Sequence, residues 1–396
     1  MADAVLTLNA GSSSLKFALF EAPERHVAPE NLIVLARGQI EGLGTAPHLI
    51  TCDRSGAVIE DIRWSADTLF THETFLASVF GLCEQHLGTA RLAAVGHRIV
   101  HGGEDFKAPV RLDAVVLDAL EALDVLAPLH QPHNLAAARA AATARPDVLQ
   151  VGVFDTAFHC TLSPTARRFG LPRALEGQGV RRYGFHGLSY EWLTRRLRAV
   201  DPALASGRVI LAHLGAGASL CATLAGRSVE TTMGFSTLDG LMMATRCGAL
   251  DPGVVLHLMT AAGMSADQVS DLLYKRSGLL GVSGISGDMR VLLNSDVPEA
   301  VEAIDLFTWR VAREIGALTM ALGGLDGIVF SGGIGEHAPD IRRKILGRLS
   351  WMGVSLSDDQ TSGERPITTA ESLVKAFVIP TDEERMIAAG ALSLIP

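Results

Sequence analysis

The sequence predicts an α/β protein built as two lobes. Its 396 residues exceed the usual span of one domain more than twofold. β-prone runs alternate with segments of helical apolar spacing along the chain. An apolar hairpin pattern, Val5 to Leu19, is echoed half a chain later by Val209 to Leu224. In each, a β-prone run meets a small-residue turn (NAGSSS, HLGAGAS) and then a second alternating run. Chance recurrence of such turns in a Gly- and Ala-rich chain competes with the repeat.

Between the hairpins, Leu112 to Ala127 and Asn134 to Ala144 have helical composition, and Leu149 to Phe154 is a short β-prone run. After the second hairpin, Val301 to Leu322 is helical by its apolar spacing. Gly327 to Phe330 then reads as a strand opening through a Gly loop onto the helix of SGGIGEHAPDIRRKIL. A boundary is expected near Asp155, and no Pro- or Ser-rich linker is long enough to mark an independent tethered domain. Val209 to Gly226 carries no charge and approaches membrane-spanning length, but its Gly-punctuated centre favours strand, turn, strand over one transmembrane helix.

Composition excludes several function classes. Apolar residues make up 48% and charged residues 19%, far from a disordered composition. The 34 Lys plus Arg against 43 Asp plus Glu give a net charge of −9, with no basic run suited to nucleic acid. The five cysteines are widely spaced, without a CxxC pair, which argues against a disulfide framework or structural zinc and for a reducing cytoplasm. The N-terminus has no basic region ahead of its apolar stretch, so no secretory signal is expected.

No lysine follows a glycine, so there is no GxxxxGK[ST] loop, and HRD, DFG and GxSxG are absent. Five Gly-rich or His/Arg-rich clusters remain. NAGSSSLK offers converging backbone N–H groups, the hydroxyls of Ser12 and Ser14 and the cation of Lys16, which suits a phosphate cradle as well as a plain turn. HLGAGAS has the same ambiguity, and SGGIGEH leans further toward phosphate because a helix N-terminus follows it. GHRIVHGG reads as a strand ending in a turn, which disfavours zinc on His97 and His101. Arg98, an arginine in an apolar context, needs an anionic partner, and a bound anion is expected ahead of an internal carboxylate.

FDTAFH ends a strand with Asp155, a catalytic position in α/β folds and equally an N-cap. RRYGFHGLS sets His186 between glycines, and MATRCGALDPG carries Arg246; alone, each suits a satisfied structural side chain. Together the clusters supply cations, acidic residues for Mg²⁺ and phosphate loops but no nucleophile, a set that matches phosphoryl transfer.

LNAGSSSLK, GHRIVHGG, APLHQPHN, FDTAFH, RRYGFHG, HLGAGAS, MGFSTLDGLMMATRCGALDPG, GVSGISGDMR, FSGGIGEH and PTDEE resemble, in order and across essentially the whole chain, the motifs of the acetate and propionate kinase family. The resemblance implies a two-lobed, duplicated RNase H-like fold, shared with sugar kinases, Hsp70 and actin, with the active site in the cleft between lobes. The N-terminal lobe would span 1–155, completed by 381–396, and the nucleotide-binding lobe 156–380. The implied activity is reversible phosphorylation of acetate by ATP to acetyl phosphate and ADP with Mg²⁺, or Mn²⁺, in a cytoplasmic homodimer without nucleic-acid or membrane partners.

The resemblance also implies residue roles. Asn9 and Glu383 would hold the metal, and Ser12 and Lys16 the phosphates. Arg98 would clamp the carboxylate, with Val100, Leu129 and Phe185 lining the methyl pocket and Thr237 near it. Asp155 would be the acid/base or orienting carboxylate, and His186, Arg246 and His130 would stabilise the moving phosphoryl group. The nucleotide would lie against His213, Leu214, Gly215, Ala216, Gly217, Asp288, Met289, Arg290, Gly333, Ile334, Gly335, Glu336 and His337. Departures from the family pattern fall at Ala216 (HLGAG for HLGNG), at Ser236, Thr237 and Leu238 (for TPL), at Ala244 and Ala249 (for GTRCGD), at His337 and at Asp382. Propionate phosphorylation, a non-catalytic nucleotide-driven hinge of the actin or Hsp70 kind, and a degenerate family member are the competing readings.

Overall fold

The computed structural model describes residues 2–11, 14–24, 27–42, 46–65, 72–128, 130–358 and 365–396. The chain divides into two compact units, Met1–Ala157 with Asp382–Pro396, and Phe158–Thr381.

Unit 1 holds strands β1 (Asp3–Ala10), β2 (Ser14–Ala22), β3 (Ile33–Glu41), β4 (His48–Asp53), β5 (Val58–Arg63), β6 (Arg91–Ile99), β7 (Val110–Arg111) and β8 (Leu149–Phe154). They form one sheet in the order β5-β4-β3-β2-β1-β6-β8-β7. β1 is antiparallel to β2 and parallel to β6, and β6 is parallel to β8. The central β1 is almost wholly buried, with Ala4, Leu6, Leu8 and Ala10 on one face and Asp3, Val5, Thr7 and Asn9 on the other, whereas the edge strand β5 is mostly exposed. One face packs Leu6, Leu8, Leu15 and Phe17 against the helix His72–His86 and the helix Gln131–Ala144.

The other face receives the C-terminal helix Glu383–Leu392. It sits so close that a Cβ on Gly96 would lie 2.7 Å from Ile387 Cγ2. Arg385 anchors it by donating to the carbonyls of Pro29 and Leu32, each at 2.8 Å, with its guanidinium over the Phe20 ring.

Unit 2 holds β9 (Arg208–Leu214), β10 (Ala218–Leu224), β11 (Arg227–Thr231), β12 (Gly327–Ser331) and β13 (Lys375–Val378), in the order β11-β10-β9-β12-β13. β9 is antiparallel to β10 and parallel to β12, and β12 is parallel to β13. This order repeats β3-β2-β1-β6-β8 strand for strand and sense for sense, so the echoed hairpins are the first two strands of a duplicated five-strand plan. The uncharged stretch around Leu214 is the β9–β10 hairpin, and no described helix is long and apolar enough to cross a membrane. The helix Pro298–Leu322 starts on a proline, whose lack of an N–H costs nothing there, and stops at Gly323 in the left-handed region, φ 69°.

One local expectation is corrected. The segment after β12 is not a Gly loop: Gly332–His337 is itself helical, followed by the helix Pro339–Gly347. A glycine at 332 permits this abrupt entry, since its φ is 76° and a Cβ would meet the Leu214 carbonyl at 2.8 Å.

Candidate active site

Three adjacent strands of unit 1 end side by side, and each supplies one polar group at its carboxyl end, the edge where α/β sheets place ligands. Asn9 and Arg98 are each the last residue but one of β1 and β6, and Asp155 follows β8 directly. Arg98 forks onto Asp155, with Nη2 2.6 Å from Oδ2 and Nε 3.2 Å from Oδ1. Its Nη1 donates to Asn9 Oδ1 at 3.0 Å, and Asn9 Nδ2 donates to Glu383 Oε2 at 3.3 Å. Asp155 is only 1% exposed. The first anion on Arg98 is therefore an internal carboxylate, the alternative that sequence reading ranks second. Burial alone would lower the Arg98 pKa, but Asp155 and then Glu383 outweigh it and keep the guanidinium charged. Glu384 is pushed up by burial first and by the Glu383 charge second.

Asn134, on the helix that begins just after His130, staples this edge together. Its Oδ1 accepts from Val100 N at 3.0 Å and its Nδ2 donates to Ala10 O at 2.6 Å. Val100 is buried. Lys16 pairs with Asn9 in the β1–β2 register, which puts both side chains on one face, and it lines a cavity of about 290 Å³ with Arg37, Gln39, Asp382 and Glu384. Ser12 and Leu129 lie outside the described residues.

In unit 2 the imidazoles of His186 and His213 stack, with centroids 4.4 Å apart. His213 is on β9, and His186 precedes the helix Gly187–Val200. His186 adopts the left-handed region, φ 59°, costly for a side-chain residue and held by its surroundings. Below it, buried His159 donates from Nε2 to the Phe185 carbonyl at 3.0 Å. Gly184 packs directly on the His159 ring, where a Cβ would be 2.5 Å away. Burial drives the His159 pKa down to about 4, so the ring is neutral and its Nδ1 accepts from Ser228 Oγ at 2.9 Å. Arg246 donates from Nη1 to the Thr237 carbonyl at 3.1 Å, tying together two of the expected site residues.

A second cavity, about 560 Å³, gathers much of the expected nucleotide set: Gly215, Ala216, Asp288, Met289, Arg290, Gly333, Ile334 and His337 line it. Asp288 and Arg290 pair with each other at 2.6 Å, and the Asp288 pKa is lowered, chiefly by its hydrogen bond from Arg290. Leu214 is fully buried, and Glu336 turns inward. Its Oε1 accepts from Gly332 N at 2.8 Å, Thr381 N at 3.1 Å and Ser331 Oγ at 3.2 Å. Gly335 is buried in the short helix, with its carbonyl accepting from Arg342. His213, Leu214, Gly217, Gly335 and Glu336 are thus not among the cavity's lining residues.

Sequence reading passed over Thr245 and Gly287, which line the cavity, although they stand inside quoted motifs beside Arg246 and Asp288, and it named Ala244, a third lining residue, only as a departure from the family pattern. It also passed over Ser189, Tyr190, Ser219 and Thr381, whose hydroxyls have no signature until the fold sets them behind the histidines.

The acetokinase family model matches residues 4–389. An acetate kinase of Rhodopseudomonas palustris (strain TIE-1) is 53% identical over 392 residues, covering 98% of this chain and 97% of that protein. The crystal structure of Porphyromonas gingivalis acetate kinase is similar at TM-score 0.86 and 36% identity, with 100% of both chains covered. That of a propionate kinase from Francisella tularensis has TM-score 0.89 at 32% identity, covering 99% of this chain and 100% of that one. A match of this length, carried on a duplicated strand plan with the polar residues gathered at its strand ends, places the chain in the acetokinase family.

Proposed function

We propose that the protein transfers the terminal phosphoryl group of ATP to the carboxylate of acetate, giving ADP and acetyl phosphate, and that it runs the reverse transfer as well. The observation that carries this reading is the connected set Glu383–Asn9–Arg98–Asp155 at the carboxyl ends of β1, β6 and β8. Acetate is already ionised at neutral pH, so the barrier is the approach of two anions, and a buried, permanently charged guanidinium addresses it. Arg98 meets the acetate carboxylate, and Asp155 sets the plane of its fork. Val100, Leu129, Phe185 and Thr237 bound the acyl end. His186, Arg246 and His130 face the moving phosphoryl group, and Lys16 with Ser12 holds the phosphates. The 560 Å³ cavity takes the nucleotide, with His213 and Gly217 toward its phosphates.

The donor set suits Mg²⁺, a hard cation that takes one or two carboxylates and completes its shell with water and phosphate oxygens. Glu383 supplies the carboxylate, and Asn9 orients it through the 3.3 Å hydrogen bond. Mn²⁺ fits the same oxygen donors. When bound, the ion neutralises phosphate charge.

For the second copy of the chain that the family resemblance implies, we infer a contact through the helix Pro252–Thr260, which has no buried residue and exposes Leu256 and Met259 beside Leu250. Sedimentation of wild type against Leu256→Glu tests it; identical masses refute it. The five free cysteines support a reducing, cytoplasmic setting.

A coupled ADP-release assay with acetate, propionate and butyrate tests the reaction. Release that depends on acetate, with propionate slower, is expected. Release that ignores every carboxylate refutes the reading.

A further inference from the structure

Behind the stacked histidines of unit 2 stand two hydroxyl chains of the same design. Ser219 Oγ lies 2.8 Å from His186 Nδ1, and the Tyr190 hydroxyl contacts the same Ser219 oxygen. Ser189 Oγ lies 2.8 Å from His213 Nδ1, and Thr381 Oγ1 donates to Ser189 Oγ at 2.9 Å. Ser189, Ser219 and Tyr190 are fully buried, so each of their protons must find an acceptor inside the protein.

One arrangement of protons satisfies both chains along the hydrogen bonds just named. Among the described residues the Tyr190 hydroxyl has Ser219 Oγ as its hydrogen-bond partner, so Tyr190 donates to Ser219. Ser219 has His186 Nδ1 as its remaining partner, so Ser219 donates to the ring. Burial raises the Tyr190 pKa well above its ordinary value, with the thiol of Cys221 as the second cause, so the phenol keeps its proton. In the second chain Thr381 donates to Ser189, and Ser189 donates to His213 Nδ1. A ring nitrogen that accepts a hydrogen bond carries no proton, which leaves the proton of each ring on Nε2. An imidazolium at His186 would present an N–H to a serine already donating toward it and would orphan the buried Tyr190 hydroxyl proton. Two stacked imidazolium rings at 4.4 Å would also repel. His186 Nε2 lies beside the turn of the β9–β10 hairpin, 3.3 Å from where a Cβ on Gly217 would stand.

We propose that the Tyr190–Ser219 and Thr381–Ser189 relays fix His186 and His213 as neutral imidazoles protonated at Nε2, so that each ring donates a hydrogen bond toward the phosphates and neither takes up a proton. The inference rests on the phosphoryl-facing reading of His186 given above. Ser189, Ser219, Tyr190 and Thr381 are positioning residues, acting through the rings. The arrangement suits the chemistry, because an ionised acetate has no proton to give up and a base near the transferring group would have nothing to accept. It also accounts for the left-handed backbone at His186, which aims Nδ1 at Ser219.

The test is ¹⁵N spectroscopy of the full-length protein labelled at histidine, with the two rings assigned from His186→Asn and His213→Asn. The wild type is expected to show both rings as Nε2–H tautomers at neutral pH. An Nδ1–H tautomer or a doubly protonated ring at His186 overturns the proposal, and this measurement needs no variant of the relay to fold. Ser219→Ala is expected to release His186 into a mixture of tautomers and to lower kcat roughly tenfold, the worth of one hydrogen bond, with the acetate KM within about twofold. Tyr190→Phe, which keeps the serine, should cost kcat only about threefold. A Ser219→Ala protein with a pure Nε2–H signal and full kcat overturns the relay. Full activity in His186→Asn would instead remove the ring from the reaction, a separate failure that leaves the tautomer measurement to decide the relay.

Discussion

Arg98 and Asp155 form a two-pronged ion pair across the ends of β6 and β8, with the carboxylate 1% exposed and the guanidinium also bound to Asn9. The pair fixes the arginine's plane before any substrate arrives, which is what a planar carboxylate acceptor requires.

Removing the guanidinium has two consequences that separate in measurement. Arg98→Ala leaves Asp155 buried without its cation, so the protein should lose about 3 kcal/mol of stability in urea unfolding. In steady-state kinetics the acetate KM should rise roughly 10- to 100-fold, the worth of a charge-assisted hydrogen-bond pair, while the KM for ATP changes little. An unchanged acetate KM would take Arg98 out of the substrate site, whatever the stability.

Asp155→Asn keeps the shape and removes the charge that orients the arginine, and Glu383→Ala removes a carboxylate beside Asn9. Each should lower kcat at least roughly 100-fold with the fold retained by circular dichroism. Raised Mg²⁺ should partly restore the Glu383 variant and leave the Asp155 variant unchanged. Equal rescue of both, or of neither, contradicts the division of roles.

Ala216 is exposed on the wall of the larger cavity, where the family pattern has asparagine. Ala216→Asn adds an amide able to donate to a phosphate oxygen, a bond worth about 1.5 to 3 kcal/mol before side-chain ordering is subtracted. A lower KM for ATP at constant kcat places the loop against ground-state phosphate, and a higher kcat places it against the transferring group. If neither moves in a well-folded variant, residue 216 does not touch phosphate.

Two buried histidines make stability depend on pH. Burial lowers the His97 pKa from 6.5 to about 4, partly opposed by its bond to Gln150, and burial likewise lowers His159 to about 4. Between these values the unfolded chain binds the proton and the folded chain does not, so stability is complete above pH 6.5 and declines as pH falls toward 4. By pH 5 each histidine should cost about 2 kcal/mol. Urea midpoints measured from pH 7.5 to 5 should fall accordingly, and His97→Leu should decline about half as steeply. A flat profile in the wild type contradicts the neutral burial of both rings.

Much of this was legible in the residues. The Val5 and Val209 hairpins, the strand 149–154 and the long helix ending at Leu322 follow from periodicity and turn chemistry, because each is decided locally. The entry to the Gly332–His337 helix was not legible: it depends on a glycine passing over the Leu214 carbonyl, a contact more than a hundred residues away in sequence. For the same reason Arg98 could be read as needing an anion, but Asp155 could not be named as that anion, since the β6–β8 register decides it. Serines and threonines such as Ser219 and Thr381 occur everywhere in a sequence, and only the fold sets them behind an imidazole.

The C-terminal helix Glu383–Leu392 supplies Glu383 to a site whose other members are encoded before residue 156, and it closes one face of the sheet of unit 1. A ribosome therefore makes residues 1–157 before unit 2, and unit 2 before the segment 382–396 that completes unit 1. At about 5–20 residues per second the wait is roughly 10 to 45 s. For that interval the face of the nascent sheet that Glu383–Leu392 later covers stands open, with Val5, Phe20 and Val153 unburied. A circular permutant opening in an exposed loop of unit 2, with residue 396 joined to residue 1, would emerge with the two parts of unit 1 contiguous and shorten that exposure.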